Sequence, residues 1–172
     1  MTPSSKPYTL YLVRHAIAAD RGPAWPDDSK RPLTAKGTTR MREAARGLRS
    51  LDVTIDVILT SPLVRSKQTA DALADAIRPA PPVNVVPALA PGGTPQQVAE
   101  ALDAFRKARR MALIGHEPGL GELAAWFTGT RAPLPFKKGG VCRIDLPTFS
   151  PAGVGQLVWF ATPKMLRGLA KG

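Results

Sequence analysis

The 172-residue chain has a single cysteine, Cys142, so it can form no intrachain disulfide, and a reducing compartment is its expected setting. No apolar stretch approaches the length needed to cross a bilayer. Residues 1–11 lack the basic start and apolar run of a secretory signal. A cytoplasmic protein with no membrane role is therefore expected. No internal repeat and no linker divides the sequence, which predicts one domain over residues 1–172 with residues 1–7 flexible. Acidic residues are few, 13 against 24 basic ones, for a formal charge of +11. Such a surplus suits polyanionic or phosphorylated partners, or simply a solvated basic surface. The basic runs at residues 106–110 and 137–138 carry no interleaved aromatics, so nucleic acid is not an expected partner. Hydrophobic residues at 44% exclude a disordered or fibrous chain. There are only two histidines, His15 and His116, and no set of further ligands at metal-binding spacing, so neither a metal nor another cofactor is expected.

What is present alternates between strand and helix. Residues 8–13 (YTLYLV) form an apolar, β-branched and aromatic run of strand length. A polar loop over residues 19–31 holds Pro23, Pro26, Asp27 and Asp28. Thr34 can then cap a helix whose apolar positions Met41, Ala44, Ala45, Leu48 and Leu51 recur at helical spacing. A short strand at 57–59 leads to Ser61-Pro62, which reads as a cap with proline at the first helical position, and the helix runs to Ile77. A proline-rich stretch surrounds a strand at 83–86, Thr94 caps a helix over 95–107, and 111–114 reads as a buried strand. Residues 115–118 turn into a helix through 120–127. Two further strands at 141–146 and 156–161, with a turn at 153–155, and a terminal helix from Pro163 complete the chain. The pattern predicts a three-layer α/β/α architecture, with about six mostly parallel strands and helices on both faces. Ligands in such sheets gather at the carboxyl ends of the strands.

Both histidines fall just past predicted buried strands, with Arg14 beside the first. Arg65 lies within the first two turns after Ser61, where free backbone N–H groups and the helix dipole favour an anion. Its planar fork matches phosphate oxygens in pairs. Arg31 is a candidate third guanidinium. Two histidines with several arginines suit phosphoryl transfer through a covalent phosphohistidine.

The segments carrying these residues have a family likeness. Leu12-Val13-Arg14-His15-Ala16 resembles the first signature of the histidine phosphatase (phosphoglycerate mutase-like) superfamily. The stretch from Ser61 to Ala70 (SPLVRSKQTA) resembles its second arginine segment, and Gly115-His116-Glu117-Pro118 its second histidine segment. Arg31-Pro32-Leu33-Thr34, followed by Gly37, together with Lys137-Lys138-Gly139 and the Trp159 to Pro163 ending, is similar to the short SixA-type branch. The likeness spans residues 8 to about 165 in order. One position departs: the family's glycine after the nucleophile is Ala16 here, tolerable unless that position needs a positive φ.

The resemblance implies a phosphoglycerate mutase-like fold and a metal-independent phosphatase with His15 as nucleophile. Arg14, Arg65 and Arg31 would clamp the phosphoryl oxygens, and His116 would act as a charged donor or proton carrier. Glu117, through its carboxylate or its backbone N–H, and Lys138 are further candidates for substrate contact. Between Asp75 and Glu100 the sequence has no Asp or Glu. An ester's alkoxide needs a proton from a dedicated acid, whereas the nitrogen leaving from a phosphohistidine is readily protonated. This favours phosphohistidine on a signalling protein, such as a histidine phosphotransfer or kinase domain, as the substrate of a monomeric enzyme. The alternatives are a broad phosphomonoesterase of the same superfamily acting on small phosphorylated molecules, and a catalytically weak phosphate- or partner-binding module. Trp25, Trp126 and Trp159 read as packing residues, Cys142 as a buried apolar one, and Lys36, Arg40 and Arg46 as solvated surface.

Overall fold

The computed structural model describes residues 7–149 and 154–172. Residues 1–6 of the expected flexible start, and Gly153 of the expected turn, lie outside the described residues. The elements follow in the order β1 (Tyr8–Arg14), α1 (Ala35–Arg49), β2 (Val57–Thr60), α2 (Val64–Ala76), β3 (Val83–Val85), α3 (Pro95–Leu102), β4 (Arg110–Gly115), α4 (Gly119–Thr128), β5 (Val141–Leu146), β6 (Gln156–Ala161) and α5 (Pro163–Leu169).

The six strands form one sheet in the order β3-β2-β4-β1-β5-β6. β1, β2, β3 and β4 run parallel, while β5 is antiparallel to both β1 and β6. The continuous apolar runs of β1 and β4 belong at the centre because a parallel strand covered on both faces is dry throughout. Residues 8–13 and 111–115 are accordingly all buried. Alternation then divides the side chains. Tyr11, Val13, Ile58 and Ile114 pack under α1, α2 and α5 through Met41, Leu48, Leu73 and Leu166. Leu10, Leu12, Leu59 and Leu113 pack on the other face under α3 and α4 through Val98, Leu102, Leu123 and Phe127. The expected three-layer, mostly parallel α/β architecture is the one observed.

Two glycines of α1 allow close approach. A Cβ at Gly37 would collide with the Ile17 carbonyl oxygen, and one at Gly47 with that of Leu166, so glycine is required where α1 meets the segment after His15 and where α5 docks.

Two helix boundaries differ from expectation. α2 begins at Val64, with Leu63 rather than Ser61 as its extended cap residue. The Ser61 hydroxyl lies 2.8 Å from His116 Nε2 and accepts from the Leu63 N–H at 3.3 Å, so it shapes a bend before the helix. α3 ends at Leu102 and tightens into a 3-10 turn over Asp103–Phe105. α4 runs from Gly119 to Thr128, as the expected helix through 120–127 does to within a residue, and starts two residues after Glu117.

Candidate active site

The register of two neighbouring strands brings the histidines together. Arg14 of β1 pairs with Gly115 of β4 in a parallel ladder, so His15 and His116 leave the sheet side by side at its carboxyl edge. The His15 backbone N–H donates to the Gly115 carbonyl at 3.1 Å. The two rings stand 5.0 Å apart, centroid to centroid, at 51°.

His15 Nδ1 lies 2.7 Å from the Ala16 carbonyl oxygen. A carbonyl can only accept, so Nδ1 carries the hydrogen and Nε2 keeps its lone pair. Burial pulls the His15 pKa down to about 4, with Arg65 and Arg14 adding to the fall and the Ala16 hydrogen bond opposing it. His116 falls to about 3, again chiefly through burial, then through His15 and Arg65. Both rings are therefore neutral near pH 7. His116 Nε2 faces two hydroxyls, Ser61 Oγ at 2.8 Å and Ser66 Oγ at 3.2 Å. Ala16 does not have a positive φ, since Asp52 is the non-glycine residue with one among the described residues. Its methyl is buried in the core beneath α1, and its N–H donates to Thr69 Oγ1 at 3.1 Å. The family's glycine is thus replaced without backbone strain.

Arg65, in the first turn of α2, is only 2% exposed. Its Nη1 donates to the Asp28 carbonyl at 2.8 Å and its Nη2 to Asp28 Oδ2 at 2.9 Å. Arg31 Nε donates to Asp28 Oδ1 at 3.0 Å and its Nη1 to the Ala19 carbonyl at 2.6 Å. Desolvation pushes the Asp28 carboxyl up, but the hydrogen bonds from Arg65 and Arg31 outweigh it and hold it below the usual range. Asp28 thus fixes two of the three candidate arginines, and sequence reasoning treated it only as loop composition. The available signal was its position three residues before Arg31, within reach across one tight turn. Arg14 is anchored separately, Nη1 to the Phe136 carbonyl at 2.7 Å.

A cavity of about 330 Å³ opens over these groups, lined by Arg14, His15, Arg31, Arg65, His116, Glu117 and Lys138, together with Asp20, Arg21 and Pro91. Every site residue singled out in the sequence reaches this one cavity. The stretch without acidic residues contributes Pro91. Glu117 Oε1 accepts from the Gly121 N–H at 3.0 Å, capping α4 from just before it. Burial raises the Glu117 carboxyl despite Arg14 nearby. Among the described residues, three buried side-chain atoms have no hydrogen-bond partner: Arg14 Nε, Arg65 Nε and His116 Nδ1. All three belong to residues that line this cavity. Among the described residues no three His, Cys, Asp or Glu side chains gather as a metal site, and no helix is long and apolar enough to cross a membrane.

The model of the histidine phosphatase superfamily, branch 1, matches residues 10–123. An uncharacterized protein of Picosynechococcus is 41% identical over 136 residues, 77% of this chain and 81% of its own length. The phosphohistidine phosphatase SixA of Escherichia coli is 28% identical over 160 residues, 92% of this chain and 96% of its own. A solved structure of the protein histidine phosphatase SixA with tungstate superposes with a TM-score of 0.80 at 28% identity, covering 91% of this chain and 97% of that one. A phosphoglycerate mutase from Bacillus anthracis shares the fold at a TM-score of 0.73 and 13% identity, over 98% of this chain and 99% of that one.

Proposed function

The chain belongs to branch 1 of the histidine phosphatase superfamily, and from that premise we propose that it removes phosphoryl groups from phosphohistidine on a protein, using His15 as the nucleophile. One observation carries the reading. Arg14 Nε, Arg65 Nε and His116 Nδ1 are buried and unpartnered, and all three belong to residues lining one cavity. Leaving such a group unsatisfied costs about 1–3 kcal/mol, more where it is charged, and phosphoryl oxygens would supply the missing acceptors.

In this mechanism His15 Nε2 attacks the phosphorus in line as the bond to the substrate nitrogen breaks. Arg14, Arg65 and Arg31 hold the equatorial oxygens, and His116 donates through Nδ1, its Nε2 accepting from a serine hydroxyl. Most of the rate enhancement is positioning and charge stabilisation. The leaving imidazole is protonated, and water then attacks phospho-His15, releasing phosphate and regenerating the free ring. Similarity to SixA of Escherichia coli supports the phosphohistidine substrate. A phosphotransfer or kinase domain in cytoplasmic signal transduction is the corresponding partner.

A second reading has its own support. Glu117 lines the same cavity with a carboxyl raised by burial, which suits a general acid for ester cleavage. The hydrogen bond to Gly121 occupies one of its oxygens in capping α4. The deciding measurement is kcat/KM on a phosphohistidine peptide against p-nitrophenyl phosphate, with His15→Ala in parallel. Strong preference for the peptide, lost in the variant, is expected. Preference for the ester, reduced by Glu117→Gln, would replace this reading with a phosphomonoesterase.

A further inference from the structure

The basic surplus is not spread evenly. α1 carries five cationic residues against one acidic, and residues 163–172 carry three against none, a surplus of seven out of eleven for the whole chain. These two segments pack on each other: the Ser50 hydroxyl donates to the Leu169 carbonyl at 3.2 Å, and Gly47 admits the Leu166 carbonyl.

In the seam between them lies a second pocket of about 110 Å³. Its cationic residues are Arg40, Lys138, Lys164 and Arg167, and Ala16, which follows the proposed nucleophile, lines it too. Lys138 lines this pocket and the catalytic cavity alike, so the two open onto a shared wall. No Asp or Glu lines the pocket; Glu43 lies 3.8 Å from Arg167 and offsets that one guanidinium. Arg40, Lys138 and Lys164 have no carboxylate within ion-pair distance among the described residues.

We infer that this basic seam docks an acidic segment of the phosphorylated protein, setting carboxylates beside the phosphohistidine that enters the catalytic cavity. The inference rests on the phosphohistidine reading above. It assigns substrate selection to charges outside the reacting centre. A polypeptide is the fitting occupant because the cations sit on two helices and a loop around a pocket of only about 110 Å³, a layout that matches a spread of side-chain carboxylates. Continuity through Lys138 makes the occupant of the seam part of the substrate. Opposite charges across such a surface raise the association rate and select partners, and salt weakens both effects.

The test uses two synthetic phosphohistidine peptides that differ only in their flanks, one rich in Asp and Glu, the other in Ser and Asn. Phosphoramidate serves as a small substrate that cannot reach the seam. With the wild-type protein at low salt, KM for the acidic peptide should lie about tenfold below that for the neutral one, the yield of two or three exposed ion pairs. The gap should close as salt rises. In the double variant Arg40→Glu with Lys164→Glu the advantage should vanish or reverse. Turnover of phosphoramidate and of the neutral peptide should stay unchanged, which also establishes that the variant is folded. Equal KM for the two peptides, or an acidic preference that survives the double substitution, overturns the docking proposal and leaves the phosphohistidine reading intact. Failure to cleave either peptide while p-nitrophenyl phosphate turns over removes both together.

Discussion

Asp28 is the residue on which the geometry of the proposed phosphate clamp turns, and its removal gives the sharpest test of that geometry. Its carboxylate accepts from Arg65 Nη2 at 2.9 Å and from Arg31 Nε at 3.0 Å, while Arg21 Nε stands 3.4 Å away. Asp28→Ala leaves the nearly inaccessible Arg65 guanidinium with only the residue-28 carbonyl. Stranding a fully buried charge costs about 3–5 kcal/mol. The Asp28 side chain is 43% exposed, so water can partly take its place, and about 2 kcal/mol is the appropriate figure. For a chain of this size that corresponds to a drop of about 4–8 °C in Tm. Catalysis should suffer more than stability suggests. With Arg65 and Arg31 each left a single backbone anchor, the donors proposed to hold the transferring oxygens lose their fixed geometry, and misplacement on the order of 1 Å lowers kcat by about a hundredfold. Thermal unfolding and steady-state kinetics on phosphoramidate measure the two effects separately. Asp28→Asn retains one acceptor for Arg65 and should recover part of both losses. A variant Asp28→Ala with wild-type Tm and wild-type kcat would refute the argument that this carboxylate positions the clamp.

Three other perturbations separate the roles of neighbouring groups. Ala16→Gly should leave kcat unchanged while costing about 1–2 kcal/mol in denaturant unfolding, because it removes a buried methyl and adds backbone freedom at a position without strain. Ser61→Ala removes the closer hydroxyl at His116 Nε2, and loss of one orienting hydrogen bond of ~1 kcal/mol should lower kcat about fivefold with KM little changed. Both histidines are depressed in the folded state, to about 4 and about 3, so below the ordinary 6.5 the unfolded chain binds more protons than the folded one. Stability should therefore fall as pH drops from 7 to 5, by about 3 kcal/mol in denaturant titrations. The fall should be roughly halved in His116→Asn; a flat profile would contradict the assigned burial of the rings.

The central strands and the ends of β5 and β6 were legible because hydrophobic runs bounded by polar turns leave little choice of register. The histidines were legible as a pair for the same reason: each follows a dry strand, and neighbouring parallel strands deliver their ends to one place. The start of α2 was misread because Ser61-Pro62 has the local chemistry of a helix cap. The Ser61 hydroxyl instead meets His116, 55 residues away, a tertiary contact that no local rule contains. Asp28 was missed for a related reason. A carboxylate in a polar loop gives no periodic signal, and its importance comes from a buried arginine 37 positions further on. The basic surplus was counted correctly but could not be localised, because the docking of α5 beside α1 depends on Gly47 and is invisible in composition.

The charges on the cavity wall match the group proposed to bind there. Five cationic residues and two acidic ones line it, and Asp28 behind Arg65 is a third carboxylate. With both histidines neutral this leaves a surplus of two, the charge of a phosphoryl dianion. Burial is the main reason the histidines are held so far below their ordinary pKa. Arg14 and Arg65 reinforce the effect of burial on both rings. A dianion between them reverses the sign of that influence, and so raises both histidine pKa values as it enters. His15 is held to its reactive tautomer by the Ala16 carbonyl, whereas His116 Nδ1 stays free to donate. In the proposed mechanism the same field would serve attack on the substrate and hydrolysis of phospho-His15, since the transferring group would keep nearly the same charge in both half-reactions. Donors fixed in advance by backbone carbonyls and by Asp28 need not reorganise between them, and that constancy is the physical basis for turnover at a site built from arginine and histidine.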